Sequence, residues 1–482
     1  MHATFTATQL RNSPTVLRFL HQKNIASKPW TTGASDLNIE TDAIMKYLDH
    51  IFPFLFPHCR PSLFETGRSW ILALLRESKF AYHSVLGLTS FFFTLALTDV
   101  YSGTYADCTD QLWARLDRDI HECFQSIQND LLALCAPKID VTVCEKVYLM
   151  GSIINFIVFE CALGQSAGWM VHLPPAIALF KDLLNRPGRG EPKMRSTLLA
   201  IGPPIWYKAE NETYIWSPEQ AGFRFFAALL VFCDIIASTA LRKAPQLTMY
   251  HDTVLDSGDN GAPVLGFTQI RLSAIVGCPS SVLQAIGQIA TLDSWKAEQS
   301  AMNDDVQSEL FERSSSISLS LANAEARLEL NHLESAPHSD PLLPFRSYAV
   351  RVTTASPYRI TTSVWISAAQ IYLSLVVNGF RWSDASIHDL VANILRLIPL
   401  IPSNEFRTLA WPLCVAGCLA SQSQESYFRE IFATKKILEI IGSPKEAIRV
   451  VEKVWKSRSN IDEKTWSLAS CLGILGNPLL LI

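Results

Sequence analysis

The chain has 482 residues, of which 49% are hydrophobic and 18% charged, and its formal net charge is −4. This balance is typical of a soluble protein with a large core, and the length allows two to three conventional domains or one large helical domain. A slightly acidic chain with an isoelectric point near 6.3 is not expected to bind nucleic acid through its overall charge. Its mean hydropathy of +0.16 is low for a protein with many membrane spans.

The first 39 residues have the composition of a disordered basic tail. No acidic residue precedes Asp36, and four basic residues alternate with serine and threonine: Arg11, Arg18, Lys23 and Lys28. Mitochondrial transit peptides share this composition, whereas the apolar segment of a secretory signal is missing. We predict a disordered tail over residues 1–39 and keep the transit peptide as the alternative.

Apolar residues recur at helical spacing through most of the remaining chain. The segments with this pattern are 40–57, 63–77, 80–97, 147–163, 223–241 and 364–377. Helices that each carry an apolar face must bury it against one another. The pattern therefore predicts an all-α fold, a large helical array or bundle.

Two polar stretches interrupt the helical patterns. Residues 244–265 are rich in proline, glycine and aspartate, which predicts a loop. Residues 298–345 are polar and rich in serine, which predicts a long flexible insertion. The insertion would separate a first helical part, 40–297, from a C-terminal helical part, 346–482.

Three of the apolar segments approach the length of about 20 residues that a membrane span requires. The segment 80–97 contains His83 and several hydroxyl side chains, and the next two contain Glu160 and Asp234. A charge near the middle of a bilayer costs several kcal/mol. We therefore predict buried helices and no membrane association.

The last quarter of the chain, residues 406–482, predicts three or four amphipathic helices with clear start signals. Ser443 precedes Pro444 and is followed three positions later by Glu446. This order predicts a helix N-terminus in which serine and glutamate cap each other. Asp462 is the predicted cap of the last helix.

Residues 164–168 read G-x-S-x-G, the pattern of a hydrolase nucleophile turn with Ser166 as nucleophile. Such a turn follows a buried strand and opens a helix. The preceding IINFIVFECAL could form a strand, but Pro174 and Pro175 should interrupt the helix early. Candidate triad partners lie largely in predicted loops: Asp252, His332, His338 and Asp340. We assign no catalytic residue and keep a serine hydrolase as an alternative.

The cysteine pattern predicts no metal site. No C-x2-C occurs among the eleven cysteines, and Cys414 and Cys418 lie in an apolar run without a nearby histidine. No glycine-rich phosphate loop is present, so we predict no cofactor. Lys453, Lys456 and Arg458 are interpreted as the solvated face of a helix.

Several longer motifs resemble segments of one family. They are IFPFLFPHCRP with GRSWILALL and YHSVLGLTSFF (51–93), Trp169-x-x-His172-Leu173-x-x-Ala176, the apolar run 223–245, IVGCPSSVLQAIGQIATLDSWK (275–296) and LAWPLCVAGCLA (409–420). From about residue 40 onward they resemble the fungal-specific transcription factor domain. This domain is the regulatory part of many Zn2Cys6 regulators, including those of acriflavine sensitivity and arginine metabolism. One position departs from the pattern, because Ser281 stands about where the family has a tryptophan.

The resemblance implies an all-α regulatory domain without a catalytic centre. Members usually begin with a zinc cluster, C-x2-C-x6-C repeated twice, which presents a basic helix to DNA. In this sequence Cys59 and Cys108 are the first cysteines, and they are spaced too widely for that motif. We therefore expect no direct sequence-specific DNA binding from this chain.

The resemblance predicts a nuclear transcriptional regulator, or a co-regulator that acts through a DNA-binding or transcription-machinery protein. The expected target is a metabolic or secondary-metabolite gene cluster. One alternative is a serine hydrolase that uses Ser166. The other is an interaction protein that forms a homodimer, or a heterodimer with a zinc-cluster regulator.

Overall fold

The computed structural model of the protein describes residues 34–61, 66–100, 142–164, 168–185, 193–208, 210, 213–256, 269–299, 304–330, 356–434 and 442–482. This part of the chain is predominantly α-helical, which confirms the predicted fold class. Its strands form one short antiparallel hairpin, β1 (Trp206–Lys208) with β2 (Thr213–Ile215), in which Tyr207 pairs with Tyr214.

The longer helices of the first part are α1 (Ala34–Lys46), α2 (Ser69–Glu77), α3 (Lys79–Val100), α4 (Val143–Ala162), α5 (Trp169–Leu184), α6 (Lys193–Ile201) and α7 (Pro218–Leu241). A π-helical turn, Tyr47–Ile51, and the short helix Phe52–Leu55 continue α1. Two more short helices, His251–Val254 and Ser273–Val276, follow α7.

The longer helices that follow along the chain are α8 (Ser280–Glu298), α9 (Asp304–Leu330), α10 (Ser356–Asn378), α11 (Ala385–Leu397), α12 (Ala410–Cys418), α13 (Gln422–Thr434) and α14 (Gly442–Ser457), and after them comes the short α15 (Leu468–Leu472). Short 3-10 helices lie at Thr248–Tyr250, Ile398–Leu400, Ser403–Leu409 and Arg458–Asn460.

Helix α7 is the centre of the fold. It begins at a cap in which Ser217 and Gln220 bond each other's backbone N–H, with Pro218 at the first helical position. Its sequence is apolar on every side, as expected of a helix buried all round. Helix α7 accordingly packs against α2, α4, α5, α6, α8 and α15. The two parts of the chain therefore share one core.

Two helices of the described part are long and apolar enough to cross a membrane by length and composition: α7 and the segment Tyr358–Asn378 of α10. In α7 89% of the apolar window is buried inside the protein, and in α10 72%. This burial is what the core helices of a folded domain require.

The prediction of a flexible insertion over 298–345 is wrong for residues 304–330, which form α9. The serine-rich composition conceals an apolar stripe with alternating spacings of four and three residues. Its buried members are Leu310, Ser314, Ile317, Leu321, Ala324 and Leu328. This stripe packs against α8 and α10, so tertiary packing outweighs the polar average composition. Residues 331–345 lie outside the described part.

Two other predicted boundaries differ from the structure. Helix α1 begins at Ala34, inside the predicted tail 1–39, and residues 1–33 lie outside the described part. The predicted loop 244–265 contains the helical turns at 248–254. They form because Asp234 of α7 accepts hydrogen bonds from Gln246 N (3.1 Å) and Leu247 N (2.8 Å), which fixes the chain after the helix. The division of the chain into the four predicted segments otherwise stays a prediction.

The predicted caps near the C-terminus are not the ones that form. Helix α14 begins at Gly442, one residue before the predicted cap, and the buried Ser443 hydroxyl has no hydrogen-bond partner. Helix α15 is capped by Ser467, whose side chain accepts from Ser470 N (3.2 Å). Asp462 instead holds the turn before it through Lys464 N (3.1 Å). Apolar periodicity located these helices, but it did not identify the residues that cap them.

Candidate functional site

The structure brings together two segments that are far apart in the sequence, the Trp169-x-x-His172-Leu173 motif and the C-terminal end of the chain. The Trp169 indole N–H donates to the carbonyl oxygen of Pro478 (3.0 Å), and the Cys161 thiol contacts that of Leu480 (3.7 Å). The last four side chains are buried in the core: Leu479, Leu480, Leu481 and Ile482. This junction of α4, α5, α14 and the C-terminal end is the candidate site.

An interior polar cluster lies at this junction and consists of Glu160, His172, Arg407 and Glu446, all buried. His172 Nε2 is 3.7 Å from Glu160 Oε1, too far for a hydrogen bond, and both Glu160 oxygens lack a hydrogen-bond partner. Burial raises the pKa of the neighbouring Cys161 thiol, and Glu446 and Glu160 add to this rise while Arg407 opposes it. A thiol of that kind is protonated and inert at neutral pH.

Arg407 is the cation of the cluster and was not identified from the sequence. It donates a hydrogen bond to the Leu55 carbonyl oxygen, and its guanidinium lies 6.0 Å from the Phe56 ring centre. Burial lowers its pKa to about 10, and Cys161 and Tyr47 act in the opposite direction. The sequence offers one indication of a buried charge here, because Arg407 is the only charged residue in the otherwise largely apolar segment 406–420.

Two glycines allow the helices of the junction to approach closely. A side chain on Gly442 would overlap the carbonyl oxygen of Cys161, and Gly442 itself has φ +36°. A side chain on Gly168 would overlap the Glu160 carboxylate. The predicted early break at Pro174 and Pro175 does not occur, because α5 continues through both prolines to Leu184.

A second polar network joins the central helix to the second part of the chain. Asp293 of α8 accepts from Arg242 Nε (2.8 Å) and from the Tyr372 hydroxyl (3.3 Å). Lys296 donates to the carbonyl oxygens of Val376 (2.6 Å) and Val377 (3.2 Å) at the end of α10. These bonds fix α8 between α7 and α10.

The aromatic residues of α3, α5 and α7 lie mostly in the core. Phe225 and Phe226 of α7 pack on Trp70, with ring centres 4.5 Å and 5.4 Å apart, and Trp169 is buried at the junction. The cavity beside Phe225 has a volume of about 10 Å³, room for about one water molecule. Of the three consecutive phenylalanines, only Phe93 is exposed (41%), whereas Phe91 is buried and Phe92 packs against the core.

Helices flank the G-x-S-x-G segment on both sides: Gly164 follows α4, and Gly168 precedes α5. The residues before it belong to α4, so the strand that a hydrolase nucleophile turn requires is absent at this position. Ser166, His332, His338 and Asp340 lie outside the described residues. Of the four candidate triad partners only Asp252 lies within the described residues, and it is exposed on the short helix His251–Val254.

The two cysteines singled out in the sequence are buried, and two of the three basic residues are exposed to solvent. Cys414 and Cys418 are fully buried on α12, and no group of three or more possible metal ligands occurs in the described ranges. Lys453 and Lys456 are exposed on α14, as predicted. Arg458 is not solvated, since it donates to the Ala420 carbonyl oxygen (2.7 Å), pairs with Glu425 (3.0 Å) and stacks on Trp382.

Comparison with known families gives the class of the protein. The fungal specific transcription factor domain matches residues 43–482. The chain belongs to this family, which confirms the resemblance drawn from the motifs. It is a fungal transcriptional regulator. The junction joins two segments of that domain, the Trp169 motif and its C-terminal end.

The most informative relatives are regulators of fungal biosynthesis. The chain is 31% identical to transcription factor dibT of Pestalotiopsis microspora, over 94% of this chain and 72% of dibT. It is 25% identical to pestheic acid cluster transcriptional regulator 3 of Pestalotiopsis fici, over 90% and 75%. It is 23% identical to trichothecene biosynthesis transcription regulator TRI10 of Trichoderma arundinaceum, over 88% and 93%. No solved structure is significantly similar.

Proposed function

We propose that this protein acts in the nucleus and controls the transcription of a secondary-metabolite gene cluster. The observation that carries the proposal is the match of nearly the whole chain to cluster regulators such as the pestheic acid regulator. In this proposal the helical domain is a regulatory and interaction part without catalytic activity. It reaches promoters through a zinc-cluster or other DNA-binding protein.

Gene deletion tests the regulatory role. Transcripts of a biosynthetic cluster should fall or rise in the deletion strain and return to normal when the wild-type gene is restored. A Ser166→Ala variant should restore them equally well, whereas the hydrolase alternative requires that it fail. Unchanged transcript levels in the deletion strain under producing conditions would refute the proposal.

Chromatin immunoprecipitation tests how the protein reaches DNA. A tagged protein should co-purify with a zinc-cluster protein and should be enriched at cluster promoters. This enrichment should disappear when the gene of that partner is deleted. Enrichment that persists, or a fluorescent fusion that stays outside the nucleus under producing conditions, would contradict this part of the proposal.

A further inference from the structure

The outer face of α14 carries a line of unpaired positive charge. Lys445, Arg449 and Lys453 are exposed and follow one another at intervals of four residues, so they lie along one side of the helix. Within the described part of the chain, none of the three makes an ion pair. We name these three residues the basic stripe. Lys456 extends the line but pairs with Glu452 (3.7 Å), so it is not included.

The stability of α14 does not explain the basic stripe. Like charges four positions apart repel on a helix surface, and this applies to Lys445 with Arg449 and to Arg449 with Lys453. Lys445 also lies in the first turn, where the helix dipole favours acidic residues. An arrangement that weakens its own helix and lacks local partners points to an external anion.

The core fixes α14 in place behind the basic stripe. The opposite face of the helix packs against α12, α4 and α15, and the Trp455 indole N–H donates to the Gly417 carbonyl oxygen (2.8 Å). Its buried apolar members are Ala447, Val450, Val451, Val454 and Trp455. Between Gly442 and Ser457 no large apolar side chain is exposed. The outer face therefore offers charge without the apolar anchors that recognition of a peptide or helix uses.

We propose that the basic stripe binds the phosphate backbone of double-stranded DNA without reading its base sequence. At a rise of about 1.5 Å per residue, the stripe extends over about 12 Å. One DNA strand carries a phosphate about every 3.4 Å along the axis, so the same length presents three to four phosphates to the three cations. The net charge of −4 opposes this contact only weakly, because charges more than about 8 Å away are largely screened at physiological salt.

An acidic peptide fits the basic stripe less well than DNA does. An extended peptide carries at most one charge per about 3.3 Å, whereas the duplex carries one per about 1.7 Å. The duplex therefore holds more condensed counterions, and their release favours binding to the three cations. A peptide would also need the apolar contacts that the outer face of α14 lacks.

This inference rests on the proposed function and adds a second contact with the promoter. A DNA-binding partner that recognises the promoter would hold the basic stripe close to the same duplex. Tethering raises the effective concentration of the duplex, so three contacts that are weak alone strengthen the assembly. Phosphate contacts carry no base information, so the sequence specificity remains with the partner.

Fluorescence anisotropy of the full chain with short labelled duplexes of two unrelated sequences tests the proposal at low ionic strength. Wild type should bind both duplexes equally, and the logarithm of its affinity should fall with the logarithm of the salt concentration. The expected slope is about −2.7, which is −0.9 for each of three contacts. Lys445→Gln with Arg449→Gln should reduce the slope to about −0.9 and weaken binding at least about tenfold.

A matched control separates the basic stripe from a general effect of net charge. Arg327→Gln with Lys464→Gln removes the same charge from exposed positions outside α14 and should bind DNA as wild type does. All substituted positions are exposed, so unchanged circular dichroism is expected in both variants.

Four results would overturn the proposal. They are a wild-type chain that does not bind either duplex, a preference for one duplex sequence, equal losses in the stripe variant and the control, and tighter binding of a labelled poly-glutamate peptide than of a duplex. The last result would assign the stripe to an acidic protein instead. Each of these results leaves the transcript measurement in the deletion strain untouched, so failure of this inference can be told apart from failure of the proposed function.

Discussion

His58 illustrates how one buried side chain makes the stability of the fold depend on pH. It follows the predicted motif IFPFLFP, is 9% exposed, and its Nε2 atom has no hydrogen-bond partner. A side chain on Gly277 would overlap its ring, so the imidazole packs directly against the backbone at Gly277. Burial, assisted by the charge of Arg60, lowers the pKa of His58 from 6.5 to about 4.

We expect acid to destabilise the protein through His58. Between pH 6.5 and pH 4 the unfolded chain binds a proton at this residue and the folded chain does not, so stability falls as the pH falls. The loss is about 2 kcal/mol at pH 5, because pH 5 lies about 1.5 units below the ordinary histidine pKa of 6.5 and each unit corresponds to about 1.4 kcal/mol. His58→Leu should therefore lose less unfolding free energy than wild type when urea denaturation is compared at pH 7 and pH 5.

The control for this prediction is His50→Leu, which changes an exposed histidine and should leave the pH dependence as in wild type. Asp234 acts in the opposite direction. Burial raises its pKa to about 6, so its contribution to stability falls as the pH rises from about 4 to 6. Both variants retain Asp234, so its effect cancels in the comparison. Equal pH dependence in wild type and His58→Leu would contradict the prediction.

Contact between α4 and α14 depends on the absence of a side chain at Gly442. An alanine there would overlap the backbone oxygen of Cys161, which no change of rotamer can relieve, and would also occupy a positive φ. We expect Gly442→Ala to lower the unfolding free energy by about 3 kcal/mol, from overpacking and backbone strain together. Gly67→Ala is the matched control, because Gly67 has φ +57° and open space around it.

The control should lose only about 1 kcal/mol, which is the cost of the left-handed conformation alone. Urea denaturation of both variants measures the difference. Equal losses would mean that α4 and α14 can separate without cost, and the close contact at the junction would then be wrong.

The packing of α9 can be tested with two leucines of the same helix. Leu321 is 1% exposed and belongs to the buried stripe, whereas Leu319 is 63% exposed. Leu321→Ala should reduce stability by about 3 kcal/mol, and Leu319→Ala by less than about 0.5 kcal/mol. Thermal unfolding of both variants measures the difference. Similar small effects would support the flexible insertion that the sequence composition predicted.

Helices and their core faces were predictable from the sequence, whereas their partners and caps were not. Periodicity identified the buried face of α7 and of α14, because burial requires apolar residues at helical spacing. Periodicity did not detect α9, because the buried stripe of this helix includes the small residues Ser314 and Ala324 and the helix carries several exposed serines. Nor did it detect the interior polar cluster, because Glu160 and Arg407 lie 247 positions apart in the chain and meet only after folding.

At the scale of the whole molecule, the C-terminal residues complete the core. Leu480 is fully buried beside Cys161 and Trp169. Leu480→Ala should lower the unfolding free energy by about 2 to 5 kcal/mol, a large share of the 5 to 15 kcal/mol typical of a folded protein. Leu400→Ala, at a 58% exposed position, is the control and should be nearly neutral in the same urea denaturation.

Removal of residues 479–482 should have a larger effect, because it also leaves the Trp169 junction without four buried aliphatic side chains. We expect such a protein to lack a cooperative thermal transition. A truncated protein that unfolds near the wild-type temperature would show that the C-terminal end is dispensable for the core.

The buried position of residues 479–482 also sets the order of events during synthesis. A growing chain leaves the ribosome from its N-terminus, so helix α7 emerges long before the residues that cover it. The core around α7 cannot close until residues 479–482 have been synthesised and have left the ribosome. Until then the nascent chain exposes apolar helices that favour aggregation or chaperone binding. A chain that stops before residue 479 would leave the Trp169 junction uncovered, so we expect such chains to be removed or to aggregate rather than to accumulate as folded protein.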